Sequence, residues 1–145
     1  MTFTALLSLA NKIQGAYETT CQSVLHEFAI SKTSFDILMF LYNNPDRYTA
    51  KEISTTRNIK ANVVSLHVDQ LVNDGYLQRQ SVEGDRRKIR LVYTEKAQPI
   101  IEKGIVLQQN FFYSLTDGLS EEDLNSFKHC FQVVAQNADL MQGIK

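Results

Sequence analysis

The chain has 145 residues, 43% of them hydrophobic and 21% charged, with a formal net charge of −1 at pH 7. That length points to a single domain, 1–145, with a real core, and two prolines without any low-complexity tract exclude a long disordered segment. No apolar run is long enough for a bilayer, the start lacks the positive region of a signal peptide, and Cys21 and Cys130 lack zinc or disulfide-scaffold spacing; a cytoplasmic protein with reduced thiols is expected.

Residues 3–28 place Leu6, Leu9, Ala10, Ile13, Tyr17, Cys21, Val24 and Phe28 on one helical stripe, a face that must be buried. Ser31 is a good N-cap for a second helix carrying Phe35, Leu38, Met39 and Tyr42, which ends at Asn43-Asn44-Pro45-Asp46. This helix is apolar on two sides, so it should be central. Thr49-Ala50-Lys51-Glu52 has the pattern of a capping box opening a short helix to about Arg57. Asn58-Ile59 then turns the chain into a helix over about Lys60–Asp74, with Val64, Val68 and Leu71 sharing a face and Gly75 as the stop. Two short helices joined by a tight turn form a helix-turn-helix.

Strands Leu77–Ser81 and Lys88–Tyr93 should pair across the polar turn Glu83-Gly84-Asp85. Ile89, Leu91 and Tyr93 then lie on one face, with Lys88, Arg90 and Val92 on the other. Thr94 is read as the cap of a long helix to about Thr116, although Pro99 must either distort its first turn or stand at the start of a helix beginning near Gln98. Asp117-Gly118 breaks that helix, and Ser120 opens a last one bearing Leu124, Phe127, Phe131, Val134 and Met141. The fold class is mainly α with a small β-hairpin.

Charge is unevenly spread. Residues 51–96 hold nine Lys/Arg against six Asp/Glu, net +3, whereas the rest holds six against ten, net −4. Five cations, Arg79, Arg86, Arg87, Lys88 and Arg90, crowd the hairpin against Glu83 and Asp85. A basic hairpin beside a helix-turn-helix points to double-stranded DNA. On the helix face opposite Val64, Val68 and Leu71 lie Asn62, Leu66, Asp69 and Asn73, flanked by Ser65 and Gln70. Asn62, Ser65 and Leu66 are the leading base-contact candidates: an amide for an adenine edge, a hydroxyl, and an apolar group for a thymine methyl. Contact with a neighbouring helix is the competing reading of Leu66. Lys60 is assigned to a phosphate.

The order of elements resembles the MarR family of winged helix-turn-helix regulators. The resemblance rests on Val64-x-x-x-Val68-x-x-Leu71-x-x-x-Gly75-Tyr76-Leu77, then Asp85-Arg86-Arg87, then Leu91-x-x-Thr94-Glu95-Lys96. The chain departs from the family where Ala97 replaces the usual glycine and Lys60 the usual capping Ser or Thr. The resemblance implies a winged domain over 30–93, dimerisation helices over 1–29 and 94–145, and a homodimer on a palindromic operator. It also implies that Arg87 enters the minor groove, held by an ion pair to Asp85, with Arg86 near the backbone. A repressor released by a small aromatic ligand follows from the same resemblance, with Tyr17, Cys21, Phe35, Tyr42 and Phe111 as candidate pocket residues and core packing as their simpler explanation.

Relatives that sense peroxide place a cysteine in the first helix, which makes a redox role for Cys21 an alternative; an inert buried thiol is the commoner case. His26, His67 and His129 fall in three separate predicted helices, so no metal site and no cofactor are expected. No phosphate loop, nucleophile elbow or His/Cys cluster suggests an enzyme. The reading from a different class is a winged-helix protein-interaction module without DNA binding, favoured by Asp69, Asp74, Glu83 and Asp85 diluting the basic surface.

Overall fold

The computed structural model describes residues 1–143. Its elements are α1 (Phe3–Phe28), α2 (Lys32–Asn43), α3 (Ala50–Arg57), α4 (Ala61–Asn73), β1 (Leu77–Val82), β2 (Asp85–Tyr93), a 3-10 turn (Glu95–Ala97), α5 (Gln98–Leu115) and α6 (Glu121–Met141). The chain groups into two compact units, one spanning Met1–Gln109 and the other starting at Asn110. None of the described helices is long and apolar enough to cross a membrane.

Local chemistry sets most helix boundaries. Ser31 Oγ accepts the Ser34 amide at 3.1 Å and opens α2. At α3 the capping box is complete: the Glu52 amide donates to Thr49 Oγ1 at 3.2 Å, and the Thr49 amide donates to Glu52 Oε2 at 2.9 Å. Burial pushes the Glu52 carboxyl up, but hydrogen bonds from Thr49 and Tyr48, with the nearby charge of Lys88, outweigh it and hold the group below its usual range. Ser120 and Asp123 build the same box at α6. Between α3 and α4, Asn58 adopts a left-handed φ of 51°. At the far end of α4, Gly75 has φ 81°, the Tyr76 amide reaches the Leu71 carbonyl at 2.8 Å and the Gly75 amide the Val72 carbonyl at 3.0 Å, a Schellman closure.

The core of the first unit is built on α2, where Phe35, Ile37, Leu38, Met39, Phe40 and Leu41 are all buried. Cys21 and Val24 of α1, Ile53 of α3, Val64, Val68 and Leu71 of α4, Leu91 of β2 and Ile100 and Ile101 of α5 join the same cluster. Close approach of α5 to α2 depends on Gly104, where a Cβ would stand 2.3 Å from Met39 Sδ and 3.1 Å from Phe35 Cε2. In the second unit, α6 buries no residue, and its Phe127 and Phe131 rings lie 6.3 Å apart.

Along the α1 stripe Cys21 and Val24 are buried, whereas Leu6 and Leu9 are exposed, because the core reaches only the C-terminal half of that helix. Two expectations need correction. First, β2 begins at Asp85 and not at Lys88. Gly84, at φ 82°, closes a tight Glu83-Gly84 turn, after which the register jumps from Val82 opposite Asp85 to Ser81 opposite Ile89. Arg86, Arg87 and Lys88 therefore form a bulge. Finally, Thr94 does not cap the helix with its side chain; its hydroxyl donates to the Gly75 carbonyl at 2.6 Å. Pro99 has no amide to offer Glu95, so the chain makes a 3-10 turn first and regular helix starts at Gln98.

Gly104→Ala is expected to lower unfolding free energy by about 1–3 kcal/mol, as for overpacking elsewhere, because Met39 and Phe35 must both shift. Urea unfolding of the two proteins measures it; an unchanged midpoint would show that α5 does not need this close contact.

Candidate nucleic-acid interface

Burial of Val64, Val68 and Leu71 fixes which side of α4 faces outward. Asn62, Ser65, Leu66 and Gln70 are all exposed, Leu66 at 56%, so the contact of Leu66 with a neighbouring helix does not form. Lys60 occupies the N-cap of α4, makes no side-chain cap and leaves its ammonium exposed at the positive end of the helix.

Polar ties orient this helix. His67 Nδ1 lies 3.0 Å from Ser34 Oγ and 3.2 Å from Ser31 Oγ, linking α4 to the start of α2. At the C-terminal end, Lys96 Nζ donates to the Asp74 carbonyl at 2.5 Å, meeting the negative end of the helix, and its ammonium stands 4.7 Å above the Tyr76 ring. Thr94 and Lys96 thus act on the end of α4 and not on the helix that follows them. Arg79 of β1 pairs with Asp69 on the outward face of α4.

In the hairpin, Arg86 and Arg87 are exposed on the bulge of β2. Asp85 holds Arg87 differently from the ion pair expected of it: Asp85 Oδ1 accepts the Arg87 backbone amide at 3.0 Å. The carboxylate satisfies an amide that the broken ladder leaves open, and the guanidinium stays outside the pair. An open groove of about 570 Å³ runs between this bulge and the start of α3, lined by Lys51, Glu52, Asp85, Arg87 and Lys88 among others.

The candidate pocket residues of the first unit do not line one cavity. Tyr17 lines a cavity of about 240 Å³ with Asp36, Asn43, Arg57 and Gln108. Within it Asp36 pairs with Lys32 at 2.7 Å and Arg57 at 3.0 Å, and Gln108 donates to the Tyr17 hydroxyl at 2.8 Å. Desolvation raises the Tyr17 phenol to about 12 despite the Gln108 bond. Cys21 and Phe35 are fully buried in the core, Tyr42 lines a different cavity of about 170 Å³ beside Tyr48 and Arg90, and Phe111 belongs to the second unit. Among the described residues no group of His, Cys, Asp and Glu is placed to hold a metal ion.

A family model described as MarR family matches residues 30–88, the segment from the end of α1 through the bulge. An uncharacterized HTH-type transcriptional regulator of Bacillus subtilis, YwoH, is 31% identical over 88 residues, 61% of this chain and 64% of the relative. Over residues 30–88 the chain is similar to the MarR family of regulators. Solved structures share the fold beyond that segment. A MarR regulator from Methanosarcina mazei superposes with a TM-score of 0.80 at 16% identity, covering 97% of this chain and 94% of the other. The MepR protein of S. aureus, in a complex with DNA, superposes with a TM-score of 0.73 at 18% identity, covering 94% and 96%. The MarR match contains every outward residue of α4 and both bulge arginines; Thr94 and Lys96, which tie off the end of α4, lie beyond it.

Cys21 is 0% exposed, and burial raises its thiol above the usual value. It is therefore expected to stay unlabelled by a thiol reagent in the folded protein, while the exposed Cys130 reacts at once. Rapid labelling of both, counted by mass spectrometry, would revive the redox reading. Glu52 yields a second expectation, with a definite sign. Its carboxyl is depressed in the fold, so its contribution is complete above the unfolded pKa and is lost as pH falls through the lower folded one. The stability gap between wild type and Glu52→Gln should shrink on acidification; urea titrations at neutral and acidic pH would expose a constant gap.

Proposed function

We propose that the protein is a homodimeric, sequence-specific DNA-binding repressor that grips a palindromic operator and is released by a small-molecule effector. The observation that carries this reading is the juxtaposition of an outward polar face on α4 with a bulge displaying two unpaired arginines. Asn62, Ser65 and Leu66 lie toward the N-terminal half of α4, the part of a recognition helix that enters a major groove deepest, with Gln70 further along. Arg87 has its backbone fixed by Asp85 and its guanidinium outside any ion pair among the described residues, suited to the negative potential of a narrow minor groove. Lys60 and Arg86 supply phosphate contacts. The MepR neighbour was solved on DNA, which adds support by likeness of fold.

Dimerisation is supported by apolar side chains left exposed: Phe3, Leu6, Leu7 and Leu9 on α1, and Phe127, Phe131 and Val134 on α6. Stripes of that size at helical spacing are partner surfaces in most soluble proteins. On this reading residues 30–93 form the winged domain and 1–29 with 94–145 the dimerisation helices, in a cytoplasmic protein without enzymatic activity. For the effector, the cavity lined by Tyr17, Arg57 and Gln108 replaces the scattered set read from sequence; it admits a molecule about the size of a single ring. The buried Cys21 gives the redox alternative no support.

Operator selection from random duplexes, followed by mobility-shift titration, tests the proposal. Arg87→Ala should weaken binding broadly, and its log–log salt slope should fall by about one. Asn62→Ala should cost about 1–3 kcal/mol and relax preference at a single position in each half-site. Recovery of no enriched sequence would refute the assignment, and sedimentation as a monomer would refute the dimer.

A further inference from the structure

Three of the five hairpin cations are engaged elsewhere in the fold. Arg79 is paired with Asp69, whereas Lys88 and Arg90 converge on one aromatic ring: Lys88 Nζ lies 5.0 Å and Arg90 Cζ 4.9 Å from the centre of Tyr48. Tyr48 itself is held on both sides of its backbone. Its amide donates to Glu52 Oε2 at 3.0 Å, and its carbonyl accepts the Leu91 amide at 2.9 Å. The ring therefore belongs to a fixed segment that joins the start of α3 to the middle of β2.

Position in the strand gives this contact its meaning. The bulge Arg86-Arg87-Lys88 has two ends. Asp85 fixes one by accepting the Arg87 amide. The other end, where regular pairing resumes at Ile89, is the stretch whose Lys88 and Arg90 lie on Tyr48. A bulge flanked by two anchors presents its side chains in one direction, while a bulge with one anchor swings. Among the described residues neither cation forms a salt bridge. The quadrupole of the ring supplies an attraction that needs no counter-charge.

We propose that Tyr48 is a positioning residue for the wing: by gathering Lys88 and Arg90 it clamps the distal end of the bulge and aims Arg86 and Arg87 at DNA. The proposal rests on the DNA-binding reading above. It also assigns Lys88 and Arg90 to the protein side of the hairpin, so that Arg86 and Arg87 are the hairpin cations left for phosphate or groove.

The experiment compares wild type, Tyr48→Phe and Tyr48→Leu. In the free protein, ring-current effects should move the Lys88 ε-methylene and Arg90 δ-methylene protons upfield in wild type and Tyr48→Phe, and the shift should vanish in Tyr48→Leu. On the selected operator duplex, Tyr48→Phe should bind as wild type. Tyr48→Leu should bind roughly tenfold more weakly, with a salt slope smaller by about one, because the loss reaches DNA through Arg87. Wild-type methylenes without an upfield shift, wild-type affinity in Tyr48→Leu, or an equal loss in Tyr48→Phe would each overturn the clamp. If Tyr48→Leu does not fold cooperatively, Arg90→Lys and Arg90→Met replace it, read by exchange of the Arg87 amide without DNA. Exchange unchanged in the first and faster in the second supports the clamp, and equal rates overturn it. Should the wild type give no salt-dependent signal on any duplex, the DNA-binding reading fails, and the aiming role fails with it even where the proton shifts persist.

Discussion

Burial of α2 is the constraint on which the first unit depends. It contributes six large apolar side chains to the core, each worth about 1.5–3 kcal/mol when fully removed from water, and α1, α4 and β2 pack against it. No exposed ion pair approaches that sum, since surface pairs contribute about 0–1 kcal/mol each. Gly104 lets α5 come close enough to share the same layer, which is why a single methyl group there has consequences across two helices. Helix α4 is consequently placed by an apolar contact on its inner face, and on its outer face Asp69 pairs with Arg79.

Polar contacts then decide orientation within that frame. His67 joins α4 to Ser31 and Ser34, and Lys96 and Thr94 tie off its end at the Asp74 and Gly75 carbonyls. A net hydrogen bond adds about 0.5–1.5 kcal/mol, too little to build the core but enough to select among rotations of a helix already buried. The two kinds of interaction divide the labour: hydrophobic burial chooses the face, and hydrogen bonds fix the angle and the ends.

Features with local causes were legible in the sequence. The capping box at Thr49, the helix start at Ser120, the stop at Gly75, the helix-turn-helix spacing and the outward face of α4 all follow from residues within a few positions of one another. What sequence could not disclose depends on partners far along the chain. Thr94 looks like a helix cap until Gly75 is beside it, 19 positions back. Asp85 looks like a partner for a guanidinium until the register jump exposes an amide nearer to hand. Tyr48 carries no signal at all before β2 folds against it. Tyr17 and Tyr42, read as one pocket, line different cavities, because sequence spacing does not say which face of the core each ring meets.

Charge bookkeeping closes on the same point. A chain with net charge −1 gains little from unselective attraction to a polyanion, so any affinity for DNA must come from cations held in particular places. Most basic residues of the hairpin are already committed: Arg79 neutralises the one carboxylate on the outward face of α4, and Lys88 and Arg90 stabilise the strand that follows the bulge. On the proposed reading, few free cations give a modest dependence on salt, and discrimination falls to the short uncharged side chains of α4. The contacts that build the hairpin thus also remove its charges from any general attraction to a polyanion.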